Sequence, residues 1–105
     1  MVKYGTRAPK KKLRAAKKCD LRLYVDGQTA RSIRAFQNLK RICEEHFAGN
    51  YRIKVVDLVK TPRLAAMDQI VALPTLVVKS AGQVRRMIGD LSDTEKVLAG
   101  LRPCL

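Results

Sequence analysis

The sequence predicts an α/β domain with the element order strand, helix, strand, helix, strand, strand, helix. Three observations support this prediction. Residues 19–25 alternate between apolar and other side chains, as in a strand that is buried on one face. An amphipathic segment of about 18 residues follows, and then a second alternating segment. Farther on, the step Leu73-Pro74-Thr75 leads into an apolar run and a turn of small residues.

Charge is distributed unevenly along the 105 residues. The chain has 22 Lys and Arg against 9 Asp and Glu, and residues 1–18 hold eight of the basic residues and none of the acidic ones. We expect residues 1–18 to form a disordered basic arm and residues 19–105 to form one domain. Such an arm favours polyanions, which makes nucleic-acid or anionic-surface binding an alternative function. No hydrophobic signal segment follows the basic start, so we expect a cytoplasmic protein.

The first strand and the first helix are indicated by alternation and by an apolar stripe. Cys19, Leu21, Leu23 and Val25 share one face of the strand. Thr29 is a suitable N-cap for the helix that follows. Gly49-Asn50 ends this helix, because its end favours residues that tolerate the left-handed conformation. The predicted buried stripe of the helix is Ile33, Phe36, Leu39, Ile42, Cys43 and Phe47.

The second strand spans residues 51–59 in this prediction. Two strands joined by a helix form a βαβ unit, so we expect the first and second strands to be parallel. Thr61-Pro62 then opens a short helix, with Thr61 as the cap and Pro62 at the first helical position.

Residues 84–101 fit two different secondary structures. In the first interpretation, residues 84–88 form a strand, and Ser92 and Glu95 form a capping box that opens the last helix. In the second, residues 84–91 form a helix and residues 97–101 alternate as in a strand. The first gives the thioredoxin-like order, in which Pro74 takes the place of a proline that is commonly cis. The existence of the second makes this half a candidate for fold switching.

The sequence offers no catalytic site. Thioredoxin-type redox chemistry needs a low-pKa thiolate in the loop after the first strand, and residues 26–32 contain no cysteine. We expect Cys19 and Cys43 to be small buried apolar residues and Cys104 to be exposed near the end of the chain. His46 is expected to stabilise the end of the first helix. With no metal-ligand spacing and no cofactor predicted, the sequence indicates a binding protein and not an enzyme.

Five segments together resemble the KaiB family of bacterial clock proteins. They are LRLYVDGQT from Leu21, KVVDL from Lys54, DQIVALPTL from Asp68, VRRMIGDLSD from Val84 and EKVLAGL from Glu95. The resemblance implies a non-catalytic regulator that docks on a KaiC-type ATPase and autokinase ring in a circadian or stress-response timing system. It also implies KaiA as a further partner, or a KaiB-like sensor histidine kinase as a competitor. The resting state would be a dimer or tetramer with a βαβ-α-α-β arrangement, and the docking state a thioredoxin-like monomer.

The resemblance also implies which residues face partners. Arg85 and Arg86 match the arginine pair of the family, and Lys54 matches a position at its KaiA-facing edge. Gln69 stands where clock members have lysine, and Lys79 lies one place after a family lysine position that is Val78 here, on the opposite side of a strand. An exposed arginine pair suits an acidic partner surface, because guanidinium groups bind carboxylates in bidentate geometry.

A second group of residues is expected to matter for the fold switch. These residues are Pro74, Gly89, Asp90, Gly100 and Arg102. Arg102 stands where the family often has aspartate. In the last turn of the final helix a cation stabilises the helix by roughly 0.3–1 kcal/mol, which favours the thioredoxin-like state.

Overall fold

A computed structural model describes residues 19–80 and 82–104, and the predicted basic arm lies outside this part of the chain. It contains the seven predicted elements in the predicted order: β1 (Cys19–Val25), α1 (Ala30–Phe47), β2 (Tyr51–Asp57), α2 (Arg63–Met67), β3 (Thr75–Ser80), β4 (Gln83–Ile88) and α3 (Thr94–Gly100). A 3₁₀ turn, Arg102–Cys104, follows α3. The structure therefore has the strand-then-helix arrangement of the first interpretation, and the alternative packing stays a prediction.

The four strands form one sheet in the order β2-β1-β3-β4. β1 and β2 are parallel, as the βαβ prediction required, whereas β3 is antiparallel to both β1 and β4. The register places Leu23 beside Val55 on one side and beside Leu76 on the other. Since side chains alternate across each strand, this register determines which residues share a face of the sheet.

One face of the sheet is covered by α1 and α3 and holds the main core. The alternating apolar residues of β1 point into it, as predicted, and Leu76, Val78, Val97 and Leu101 complete it. The helix α1 buries Leu39, Ile42, Cys43 and Phe47 as expected, but the prediction is wrong for Ile33 and Phe36, which are 43% and 37% exposed.

Small side chains explain the error in the first half of α1. In this part of the helix Ser32 and Ala35 are buried in place of Ile33 and Phe36. The buried Ser32 hydroxyl accepts a hydrogen bond from the backbone N–H of Asp26 at 3.1 Å. A polar residue that is satisfied in this way can occupy a buried position at little cost.

The ends of α1 follow the predicted signals. The Thr29 hydroxyl accepts from the N–H of Ser32, which confirms Thr29 as the N-cap. Gly49, two residues beyond the helix, has a φ of 79°, the left-handed conformation that glycine adopts without a steric penalty. His46 lies in the last turn, as expected.

The signals at the other helices differ from the prediction by one or two residues. Pro62 and not Thr61 is the N-cap of α2. Asp93 and not Ser92 caps α3, because its carboxylate accepts from the N–H of Lys96 at 3.3 Å. The helix α3 ends at Gly100, so Arg102 lies in the 3₁₀ turn and not in the last helical turn. The predicted stabilisation of α3 by Arg102 therefore lacks its geometric basis.

Two of the three cysteines are bonded to each other and the third is free. Cys19 and Cys104 form a disulfide across a sequence separation of 85 residues, with their Cα atoms 5.1 Å apart. The expectation of an unpaired Cys19 and an exposed Cys104 is wrong, because the turn after α3 returns the chain to the first residue of β1. Cys43 is free and buried as expected, and burial raises the pKa of its thiol to about 11. Within residues 19–80 and 82–104, no helix has the length and apolar character needed to span a membrane.

Candidate partner-binding face

The second face of the sheet is only partly covered. The short helix α2 and the segments around it pack on Tyr24, Leu58 and Val77 and form a small second cluster. Because α2 has five residues, it shields one end of this face and leaves the other end open to solvent. We call the uncovered part the open face; its basic side chains are Arg22, Arg52, Lys54, Lys79 and Arg86.

The open face is basic. The register places Arg22 between Lys54 and Val77, and Val77 beside Arg86. One row farther along, Asp20 lies between Arg52 and Lys79. The alternation of each strand puts these basic side chains on the same side of the sheet, with the Asp20 carboxylate among them: Arg22, Arg52, Lys54, Lys79 and Arg86.

A cleft of about 190 Å³ lies between the end of α2 and the strands β3 and β4. It brings together three of the residues that the sequence indicated as partner-facing, namely Gln69, Lys79 and Arg86. Arg86 is anchored at its rim, since its Nη2 donates to the backbone carbonyl of Asp68 at 3.3 Å. Lys79 is exposed beside the buried Val78, which confirms that these neighbours lie on opposite sides of β3.

Gln69 has an unusual backbone conformation at the edge of the cleft. Its φ is 57°, in the left-handed region that residues with a side chain seldom occupy. The cause is the end of α2, where the N–H of Ile70 donates to the carbonyl of Ala65 at 2.8 Å and that of Gln69 to Ala66 at 3.3 Å. This pair of bonds is a Schellman motif, which requires a left-handed residue at the position of Gln69. The motif turns the chain sharply and fixes where Gln69 stands.

Tyr24 of β1 lines the cleft and joins the sheet to Asp68 at the end of α2. Its ring is buried under α2, and its hydroxyl donates to Oδ2 of Asp68 at 2.7 Å. Burial, followed by this hydrogen bond, raises the pKa of Tyr24, so the phenol stays protonated and remains a donor at neutral pH. Sequence reasoning missed Arg22, Tyr24 and Asp68 as parts of this site. The signal for the first two was their place on the polar side of the alternating strand β1.

The other two predicted partner-facing residues lie elsewhere. Lys54 is on the open face but on the edge strand β2, where it lines a groove of about 700 Å³ together with Arg22. Arg85 pairs with Val78, so it points to the side of the sheet that carries α1 and α3. The two arginines therefore lie on opposite faces of the sheet, and Arg86 lines the cleft whereas Arg85 does not.

Residues 22–103 of the chain match the KaiB domain. The chain belongs to the KaiB family. It is similar to the circadian clock oscillator protein KaiB of Microcystis aeruginosa, with 54% identity over 81 residues that cover 77% of this chain and 78% of that protein. The corresponding protein of Nostoc punctiforme is 49% identical over 89 residues, which cover 85% and 86% of the two chains. The resemblance noted in the sequence is thereby confirmed.

Solved structures confirm the thioredoxin-like fold of this KaiB-family chain. The N-terminal domain of SasA from Synechococcus elongatus superposes with a TM-score of 0.68 at 25% identity, covering 83% of this chain and 84% of that one. Mitochondrial thioredoxin 3 from Saccharomyces cerevisiae has a TM-score of 0.65 at 16% identity, with coverages of 82% and 78%. The second likeness concerns the fold alone.

The residues expected to matter for fold switching surround the junctions of β3, β4 and α3. The Leu73–Pro74 peptide bond is cis, and the Pro74 carbonyl accepts from the N–H of Gly89 at 2.9 Å. Asp90 accepts from the N–H of Ser92 at 3.1 Å and forms an ion pair with Arg34 at 3.4 Å. The hydrogen bonds from Ser92, and then the contact with Arg34, lower the pKa of Asp90.

The last two predicted switch residues lie at the end of the domain. Gly100 is in the last turn of α3 and packs on Met87, where an added Cβ would lie 2.5 Å from the sulfur. A larger residue would therefore displace the Met87 side chain. Arg102 is exposed in the 3₁₀ turn. In the described part of this KaiB-family chain, no group of three His, Cys, Asp or Glu side chains is placed to hold a metal ion.

Proposed function

We propose that this protein is a non-catalytic clock or timing regulator that docks its open face on an acidic surface of a KaiC-type ATPase ring. The observation that supports this proposal is the cleft that groups Gln69, Lys79 and Arg86 beside the basic rows of the sheet. Family membership and the names of the curated relatives, circadian clock oscillator protein KaiB, support the clock context.

The physical argument rests on charge and on fixed geometry. Arg86 is already held by the Asp68 carbonyl, so less side-chain entropy is lost when it pairs with a partner carboxylate. A planar guanidinium can bind a carboxylate through two parallel hydrogen bonds. Lys79 adds a second cation, and the exposed apolar side chains of Met67 and Val84 supply area that is buried on contact.

We also propose a second packing of the C-terminal half, as the double periodicity of residues 84–101 suggests. In this proposal the resting chain is a dimer or tetramer, and the thioredoxin-like monomer is the state that docks. A KaiA-type protein would contact the edge strand β2 near Lys54, and a sensor histidine kinase with a KaiB-like domain would compete for the ring. The SasA N-terminal domain has a fold similar to that of this chain, as two competitors for one surface would.

Size-exclusion chromatography with light scattering tests the docking. The full chain is run at several concentrations with and without a KaiC-type ATPase and ATP. The sharpest variants are Arg86→Glu and its matched control Arg85→Glu, because the two adjacent exposed arginines lie on opposite faces of β4. We expect Arg86→Glu to weaken the complex on the order of tenfold or more, and Arg85→Glu to weaken it far less. Equal losses for both variants would contradict docking through the open face.

Nucleic acid is the second candidate partner, favoured by the basic rows of the open face and by the basic residues of positions 1–18. Binding to a DNA or RNA oligonucleotide would weaken steeply with salt, because phosphate neutralisation releases counterions. Deletion of residues 1–18 would then abolish the binding. Oligonucleotide binding together with no ATPase complex in any nucleotide state would replace the first proposal with this one.

A further inference from the structure

The disulfide Cys19–Cys104 joins the two ends of the described domain. Cys19 is the first residue of β1 and is fully buried, whereas Cys104 is half-buried in the 3₁₀ turn after α3. Cys104 is therefore the more exposed of the two bonded residues. Cys43, the free cysteine of the described residues, is buried with a raised pKa, which keeps its thiol out of such chemistry.

Apart from a side-chain hydrogen bond of 3.5 Å from Arg41 to Thr94 at the start of α3, the described attachments of the segment that the bond holds are local or apolar. The N–H of Cys104 donates to the carbonyl of Leu101 at 2.8 Å, and the N–H of Leu101 donates to Val97 at 2.9 Å, so these hydrogen bonds stay within the helix and its turn. The side chain of Leu101 packs in the main core. Without the covalent bond, side-chain packing alone would hold the turn against the first residue of β1.

We propose that Cys19 and Cys104 form a reversible dithiol–disulfide site that fixes the C-terminal segment on the sheet when oxidised and releases it when reduced. The reagents are of one chemical class, low-molecular-weight thiols and their disulfides, such as glutathione and dithiols. The site differs from a thioredoxin active site, because neither cysteine lies in the loop between β1 and α1.

The reduction is a two-electron exchange. A thiolate of the dithiol attacks the sulfur of Cys104, which forms a mixed disulfide and expels Cys19 as a thiolate that takes up a proton. The second thiol of the reagent gives up its proton and attacks the mixed disulfide at the reagent sulfur, which expels Cys104 as a thiolate that is then protonated. The protein gains two electrons and two protons, and the dithiol becomes a cyclic disulfide. Oxidation uses one molecule of glutathione disulfide, which takes two electrons and two protons from the protein's dithiol through a mixed disulfide and leaves as two molecules of glutathione.

One consequence concerns the second packing of the C-terminal half, and this consequence rests on the proposed function. A chain whose Cys104 is bonded to Cys19 keeps the turn after α3 beside the first residue of β1, so oxidation favours the thioredoxin-like packing. The reduced protein is free of this restraint. Release of the segment itself is measured without any partner, so a failure of docking would leave the proposed redox site untouched.

Thiol counting and amide hydrogen exchange on the full chain test the proposal. The protein is equilibrated with glutathione disulfide or with dithiothreitol, and free thiols are counted after denaturation. We expect one free thiol in the oxidised chain and three in the reduced chain. Exchange at residues 94–104 is expected to speed up on the order of tenfold or more on reduction, while residues 51–57 stay nearly unchanged.

Two variants complete the test. Cys43→Ser keeps the pair and should respond to the redox reagents as the natural chain does. In Cys104→Ser, the amides of residues 94–104 should exchange at the fast rate with both glutathione disulfide and dithiothreitol. If this variant does not fold, the reduced unsubstituted chain is compared with the oxidised one instead. Three free thiols after oxidation, or equal exchange of residues 94–104 in both redox states, would overturn the proposal.

Discussion

Replacing Tyr24 with phenylalanine is expected to destabilise the protein through the loss of a single hydrogen bond. The Tyr24 hydroxyl donates to Asp68 at 2.7 Å across 44 residues, and it links the centre of the sheet to the end of α2. Phenylalanine keeps the ring that packs under α2, so the core contacts of the side chain survive. The variant therefore isolates the hydroxyl.

The size of the effect follows from the two partners. A hydrogen bond to a charged group contributes about 1.5–3 kcal/mol to stability and a neutral one about 0.5–1.5 kcal/mol. Asp68 is half-exposed, so water replaces the lost donor, and the cost lies where the two ranges meet. We expect a loss of about 1.5 kcal/mol, which corresponds to a fall in Tm of roughly 6–12 °C for a domain of this size.

Urea unfolding monitored by circular dichroism measures this loss, with Tyr51→Phe as the matched control. Tyr51 donates to the Glu44 carboxylate, and this hydrogen bond raises the pKa of Tyr51 to about 12, but the pair lies at the exposed edge of the sheet. We expect no resolvable change for Tyr51→Phe. If the two variants lost the same stability, or if Tyr24→Phe lost none, the assignment of the Tyr24–Asp68 bond as a structural link would be refuted.

Two further predictions concern acid stability and the core. Hydrogen bonds from Ser92 lower the pKa of Asp90, so its contribution to stability is complete above about pH 4 and is lost as the pH falls through the lowered pKa. Asp90→Asn should therefore flatten the fall of Tm between about pH 5 and pH 2, and an unchanged profile would contradict this. Leu101→Ala should cost about 2–5 kcal/mol in urea unfolding because Leu101 is fully buried, whereas Ile33→Ala, at a 43% exposed position, should cost much less. If Leu101→Ala and Ile33→Ala lost similar amounts of stability, Ile33 would be buried, as the apolar stripe of α1 predicted.

The sequence predicted β1 correctly because alternation is a local signal that survives folding. Each second residue of β1 reached the core, and the parallel pairing with β2 followed from the helix between them. The stripe of α1 was predicted less well. Hydrophobicity favoured Ile33 and Phe36, but the small residues Ser32 and Ala35 are the ones buried at this point. A periodic pattern does not reveal how much space a partner surface leaves.

The sequence did not predict features that depend on tertiary structure or on an atypical residue in a known motif. No spacing rule links Cys19 to Cys104, because their proximity depends on the position of the turn after α3. The left-handed Gln69 was equally hidden, since the Schellman motif that requires this conformation usually has glycine at this position. By contrast, strand alternation already implied that Arg85 and Arg86 point to opposite faces of the sheet, as the register shows.

The short helix α2 leaves the two faces of the sheet unequal. The face under α1 and α3 is closed, so substitutions there change core packing, and the disulfide ties the C-terminal turn to that side. The face beside α2 is open, so charges such as Lys79 and Arg86 can change with little effect on folding. Burial of these cations under a longer helix would carry a large desolvation cost. The length of α2 therefore sets how much of the sheet remains available for binding.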